Sequence, residues 1–200
     1  MSKPVLKESE LDALTEVCNI GMAHAATALS RMMGKGVAIE VPRLQLLTPA
    51  GLAGALAPDQ AVGLNLQIVG QVRGSILILL GQQNAHRMLE LLLGRHSDAR
   101  LPLSDLEMST LNEVANILAS ACLNALGAML KMTLLPSVPT LLVGQAAGVL
   151  EQAMGPSGNG EAVVMIDTMF TIANTPCSGS MFLMPESESL HAILGALGSP

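Results

Sequence analysis

Two long stretches of the chain carry apolar residues at helical intervals, and polar residues flank both stripes at matching places. From Lys7 to Met33, Leu11, Leu14, Cys18, Met22, Ala25 and Leu29 recur every three or four residues. This predicts an amphipathic helix that stops at Gly34 and Gly36. Leu103 to Lys131 repeats the pattern through Met108, Leu111, Ala115, Ala119, Cys122 and Leu126. Beside the first stripe run Asp12, Glu16 and Asn19; beside the second, 97 residues later, run Ser109, Glu113 and Asn116. Spacings of i, i+4 and i+7 place each trio on one helix face, about a third of a turn from the apolar one. Pro42 and Pro139 keep the same offset of 97 and suit an edge strand or a turn.

The other elements also come twice in one order. VAIEVPRLQLL, AVGLNLQIV and SILILL read as strands, the last two forming a hairpin around Gly70 and Gln71, before NAHRMLELLLG returns to a helical period. In the second half, TLLPSVPTLLV is extended, EAVVMIDTMFTI and SGSMFLM are paired strands, and SESLHAILGAL is a closing helix. Gly74-Ser75 and Gly179-Ser180 are offset by 105, so GPSGNG, from Gly155 to Gly160, is the expected surface turn absorbing eight extra residues. Arg95 to Asp105 links the halves. Such self-similarity predicts one domain, 1–200, made of two repeats at approximately 7–95 and 103–198. The expected fold class is α+β: a pseudo-two-fold duplicated unit with a shared, largely antiparallel sheet of about six strands, two long motif-bearing helices and additional packing helices.

Composition narrows the function classes. The chain has 50% apolar residues, no Trp or Tyr, two Phe and thirteen Met, so its interior is aliphatic. Sixteen acidic against ten basic residues, with no Lys/Arg cluster, argue against nucleic acid as a partner. MSKPVLKESELDAL lacks the organisation of a secretory signal, and Ile117–Leu130 is too short to span a bilayer and carries Ser120 and Asn124. A cytoplasmic protein without membrane insertion is expected. Cys18, Cys122 and Cys177 have no CxxC spacing, and His24, His86, His96 and His191 form no HxH or HExxH pattern. Gly34-Lys35 is no phosphate-binding loop, since Leu29 stands where its first glycine belongs. No metal or cofactor of the chain's own is expected.

A single Glu-x-x-Asn on a helix is most simply a solvated face. Duplication at one spacing changes that weighting. Asn is a poor mid-helix residue because its amide competes for backbone hydrogen bonds, so two matched cases need a reason, whether packing, capping or function.

The pattern [DS]-x3-E-x2-N, followed by Pro 23 residues later and written twice, resembles the CheC family of chemotaxis phosphatases, in the group that includes CheX and FliY. LTEVCNIGMAHAATALS (14–30) and LNEVANIL (111–118) look like the family's two signatures, and two motifs fit the CheC type. Cys18 and Ala115 stand where the family has Gly, and His24 where it has Asn. The resemblance implies hydrolysis of the aspartyl phosphate on a CheY-type response-regulator receiver. Asn19 and Asn116 would orient the attacking water, Glu16 and Glu113 would dock on the receiver's active-site Lys, and Asp12 and Ser109 would support the same face. It also implies Mg²⁺ supplied by the bound receiver, and CheD as a candidate partner. The alternative is a non-catalytic receiver-binding adaptor or phosphate-state reader. A purely structural flagellar-switch role is disfavoured by the intact Glu/Asn pairs.

Overall fold

In the computed structural model, which describes residues 8–48, 51, 59–154 and 163–197, the elements are α1 (Glu8–Met33), β1 (Val37–Leu47), β2 (Gln60–Gly70), β3 (Gly74–Gly81), α2 (Gln82–Leu93), α3 (Asp105–Leu130), β4 (Leu134–Pro136), β5 (Thr140–Gln145), α4 (Ala146–Met154), β6 (Val163–Ile172), β7 (Thr175–Pro185) and α5 (Ser187–Leu197). The fold is α+β, and every strand pairing is antiparallel. The start of the first helix at Lys7 and the GPSGNG turn lie outside the described residues.

The strand order is β1-β6-β7-β3-β2-β4, with β5 also paired to β2. First-half β1 pairs with second-half β6, and second-half β4 and β5 pair with first-half β2. Each half thus lends its edge strand to the other. Matching β1 with β4 and β5, β6 with β2, and β7 with β3 makes the order read alike from either end.

Among the described residues seven strands stand where about six were expected, because the second edge is broken. β4 pairs with Ile68–Gly70 and β5 with Gln60–Asn65. Pro136, the last residue of β4, and Pro139, just before β5, cannot donate to a ladder. Ser137 fills the gap: its N–H donates to the Gln67 carbonyl at 2.8 Å, and its hydroxyl accepts from the Gln67 N–H at 2.9 Å. At the other edge Pro42 lies where the β1–β6 register slips between Glu40 and Arg43, a bulge that opposes two residues to one. Both prolines therefore interrupt an edge strand.

Side chains alternate across the sheet as period two requires. Ile76, Ile78 and Leu80 of β3 join the larger core cluster under α1 and α3, while Leu77 and Leu79 join a smaller cluster with Val149, Leu150 and Phe182. Burial on both faces explains the unbroken apolar run SILILL. The smaller cluster is capped by α4, whose Ala146, Val149, Leu150 and Ala153 form a buried stripe at i, i+3, i+4 and i+7. Flanking Gly and Ala residues dilute the pattern of this short helix in the sequence.

α1 and α3 bury the stripes expected of them, with Leu14, Cys18, Met22, Ala25 and Leu29 facing Leu111, Ala115, Ala119, Cys122 and Leu126 in one cluster. Leu11 is only half-buried at its edge, as is Met108. α3 is long and apolar enough to cross a membrane by composition, and half of its most apolar window is buried inside the protein. Packing against α1 and the sheet accounts for that hydropathy. The two helices approach closely at Gly21, where an added Cβ would lie 3.1 Å from the Ala121 carbonyl oxygen and 3.2 Å from the Cys122 Cα. One turn earlier, the buried Cys18 and Cys122 thiols are neighbours. The neighbouring Cys122 thiol and burial push the Cys18 thiol above its usual range, consistent with an inert core thiol.

This contact predicts opposite outcomes for two glycines. Gly21→Val forces the helices apart and lowers stability by roughly 1–3 kcal/mol. Gly148→Ala on α4, where an added Cβ meets nothing within 4 Å, raises it by up to about 1 kcal/mol. Urea midpoints check both, and comparable effects at the two positions would contradict the close crossing.

Candidate functional site

Both polar trios lie on the outer side of this helix pair. Asp12, Glu16 and Asn19 on α1 are exposed, and so are Ser109, Glu113 and Asn116 on α3. Each trio is a stripe about 10 Å long, from a rise of ~1.5 Å per residue. Gly21 abuts Ala121 and Cys122, while Met32 and Met33 share a hollow with Ser109 and Glu113, so the helices run antiparallel. Asn19 therefore lies level with about residue 123, seven residues or on the order of 10 Å along the axis from Asn116. The trios form two stripes on separate helices.

Among the described residues, no hydrogen bond or ion pair engages the side chains of Glu16, Asn19, Glu113 or Asn116. The neighbouring threonines behave differently. Thr15 donates to the Leu11 carbonyl at 2.8 Å and Thr110 to that of Leu106 at 2.7 Å, satisfying themselves on their own helix. The two asparagines form no such back-bond, so their amides keep both donor and acceptor for something outside the chain.

The second trio stands on an anchored helix start. Ser104 is the N-cap of α3, and Glu107 at the third helical position reaches back to it in a capping box. Glu107 accepts from the Ser104 N–H at 2.8 Å and its hydroxyl at 2.6 Å, and from the Ser97 hydroxyl at 2.5 Å. Ser97 has spent its one proton on Glu107, so His86 Nδ1, 2.7 Å from the same oxygen, must be the donor there. Glu107, His86 and Ser97 are all buried. Arg95 to Asp105, read as a linker, is thus a braced segment tying α2 to α3. The signal for it was Ser104 followed three residues later by Glu107.

The hydrogen bonds from the Ser104 hydroxyl, the Ser97 hydroxyl and the Ser104 N–H, against an opposing cost of burial, hold the Glu107 carboxyl down to about 2 from its ordinary 4.5. Three cysteines are free and buried, with the Cys177 thiol pushed up to about 11 by burial. His24, His96 and His191 are exposed, and among the described residues no three His, Cys, Asp or Glu side chains converge as metal ligands. A feature that periodicity did not reveal borders the second trio. An open hollow of about 400 Å³ is walled by Met32 and Met33 at the end of α1 and Leu92 and Leu93 at the end of α2, with Ser109 and Glu113 on its rim.

A depressed carboxyl contributes stability above its unfolded pKa and loses it as pH falls through the folded value. Glu107 therefore predicts a loss of stability as pH drops from about 4.5 toward 2. Glu107→Gln, destabilised at pH 7, shows a smaller loss over that window. Urea midpoints at pH 6 and pH 3 test this, and an undiminished acid sensitivity in the variant would contradict it.

Comparison with known proteins places this arrangement. Residues 10–45 and 106–143 match the model of the CheC-like family, and each matched stretch holds one polar trio and its proline. Over 203 residues the chain is 30% identical to the CheY-P phosphatase CheC of Bacillus subtilis (strain 168), spanning 97% of this chain and 96% of that relative. Among solved structures, Thermotoga maritima FliY matches with a TM-score of 0.78 at 17% identity, over 97% of this chain and 98% of that one. The FliM middle domain from H. pylori matches with a TM-score of 0.68 at 14% identity, over 96% and 99%. At those identities the structural likeness concerns the fold. The near full-length match to a 30% identical relative, with both trios inside the family's own segments, shows that the chain belongs to the CheC-like family.

Proposed function

We propose that this protein is a phosphatase acting on the aspartyl phosphate of a CheY-type receiver in chemotaxis signalling, with Asn19 and Asn116 as water-orienting residues and Glu16 and Glu113 as docking residues. The observation that carries the reading is the pair of exposed Glu and Asn side chains, one turn apart on each of two rigid helices and engaged by nothing in the described chain. The name of the 30% identical Bacillus relative supports the substrate.

The chemistry suits a carboxamide. Phosphoryl transfer passes through a loose transition state in most analyses, so a catalyst gains chiefly by placing water in line with the leaving oxygen. A neutral amide can accept a hydrogen bond from that water and donate one nearby, where a carboxylate would be repelled by the phosphoryl oxygens. Glu16 and Glu113 sit one turn earlier and are free to pair with a cation on the partner, most simply the receiver's active-site Lys, fixing the register of the helix over the phosphate. Mg²⁺, which neutralises charge on the transferring group, would be held by the receiver. Asp12 and Ser109, a further turn back, extend each contact stripe.

Asn19→Ala and Asn116→Ala are each expected to slow decay of the phosphorylated receiver, and the double variant to return it to the receiver's intrinsic rate. At each site the loss in kcat is roughly tenfold or more. Glu16→Ala and Glu113→Ala should act mainly by raising KM. A radiolabelled phosphate-release assay on the cognate receiver measures all four. Decay indifferent to the double Asn substitution, with binding retained, would identify an adaptor instead.

A further inference from the structure

The second trio is bordered by apolar surface that the catalytic reading leaves unused. Met32 is 46% exposed at the mouth of the hollow beside Ser109 and Glu113. Leu106 is 52% exposed, and positions 106, 109, 113 and 116 fall at i, i+3, i+7 and i+10, so this leucine heads the same stripe as the trio. At the offset of 97 the first helix has Ser9 in that place. Apolar walls beside a carboxylate, with Met32 and Leu106 left exposed, make this a surface that a partner can cover. Methionine walls can adapt to the shape of an inserted group.

The occupant follows from what lies on the rim. Glu113 belongs to both the hollow and the docking stripe, so a partner whose cation reaches its carboxylate also covers the opening. We infer that the hollow receives an apolar side chain of the same receiver, adjacent to the cation that pairs with Glu113, so that Met32, Met33, Leu92 and Leu93 set affinity and partner choice at the second trio. This rests on the phosphatase reading for the identity of the partner. Burying an apolar group beside Glu113 also excludes water from the ion pair and strengthens it. Met32 is sixteen residues, or about 24 Å along the helix, from Glu16, so the hollow serves the second trio and not the first.

The test separates the two trios. Met32→Asp is introduced into an Asn19→Ala background, which leaves only the second trio's Asn, and into an Asn116→Ala background, which leaves only the first. The expected result is a roughly tenfold rise in KM for phosphorylated receiver, with kcat within about twofold, confined to the Asn19→Ala background. Met32→Leu in that background should restore the parent KM. An unchanged KM there, or an equal rise in both backgrounds, overturns the inference while leaving the phosphatase reading intact. Should neither parent accelerate decay, the phosphatase reading has failed and calorimetric titration with beryllofluoride-activated receiver decides the hollow separately. Met32→Asp must then weaken binding by a similar factor, and undiminished binding, or none by the parent chain, overturns the inference.

Discussion

The close antiparallel crossing of α1 and α3 is the constraint on which the rest depends. Gly21 lets the Ala121 carbonyl and the Cys122 backbone come within van der Waals distance of where any other residue would carry its Cβ. Because the helices touch there, their apolar stripes are consumed between each other and the sheet. The polar trios, a third of a turn away, are left outside. Exposure of Glu16, Asn19, Glu113 and Asn116 is a consequence of this packing rather than a separate feature. A wider crossing would turn the stripes by allowing larger side chains between the helices, and the trios would lose their fixed orientation.

The sheet beneath keeps that crossing rigid. Exchanged edge strands mean that neither half has a complete hydrogen-bonded sheet without the other, so the two helices cannot drift apart by separation of the repeats. Prolines in both edges end the ladders locally, with Pro42 at a bulge and Pro139 after a break closed by Ser137. Edges interrupted in this way resist pairing with other chains. Glu107 adds a second anchor by locking the first turn of α3 to α2 through Ser97 and His86. These devices hold the surface side chains of both trios in place.

Much of this was legible in the sequence because periodicity reports burial directly. The stripes of α1 and α3, the β2–β3 and β6–β7 hairpins and the closing helix follow from spacing alone, and the offset of 97 picked out the trios. What spacing could not reveal was the exchange of β1 with β4 and β5, since strand order depends on long-range pairing that leaves no local mark. Helix α4 was hidden by its length and its Gly and Ala content. The bracing of the linker could have been read from Ser104 and Glu107, but the part played by Ser97 and His86 needs three elements brought together. The hollow beside Glu113 draws on the ends of α1 and α2 and the start of α3, residues far apart in the chain, so nothing in one segment announces it.

The proposed function requires the two exposed stripes to meet an activated receiver. Amide chemical-shift mapping of the isotope-labelled chain, titrated with a cognate receiver held active by beryllofluoride, tests it most directly. Perturbations are expected on the outer faces of α1 around Glu16 and Asn19 and of α3 around Glu113 and Asn116, much weaker with the unactivated receiver. Perturbations confined to the sheet edges or to α4, or none at all, would contradict it.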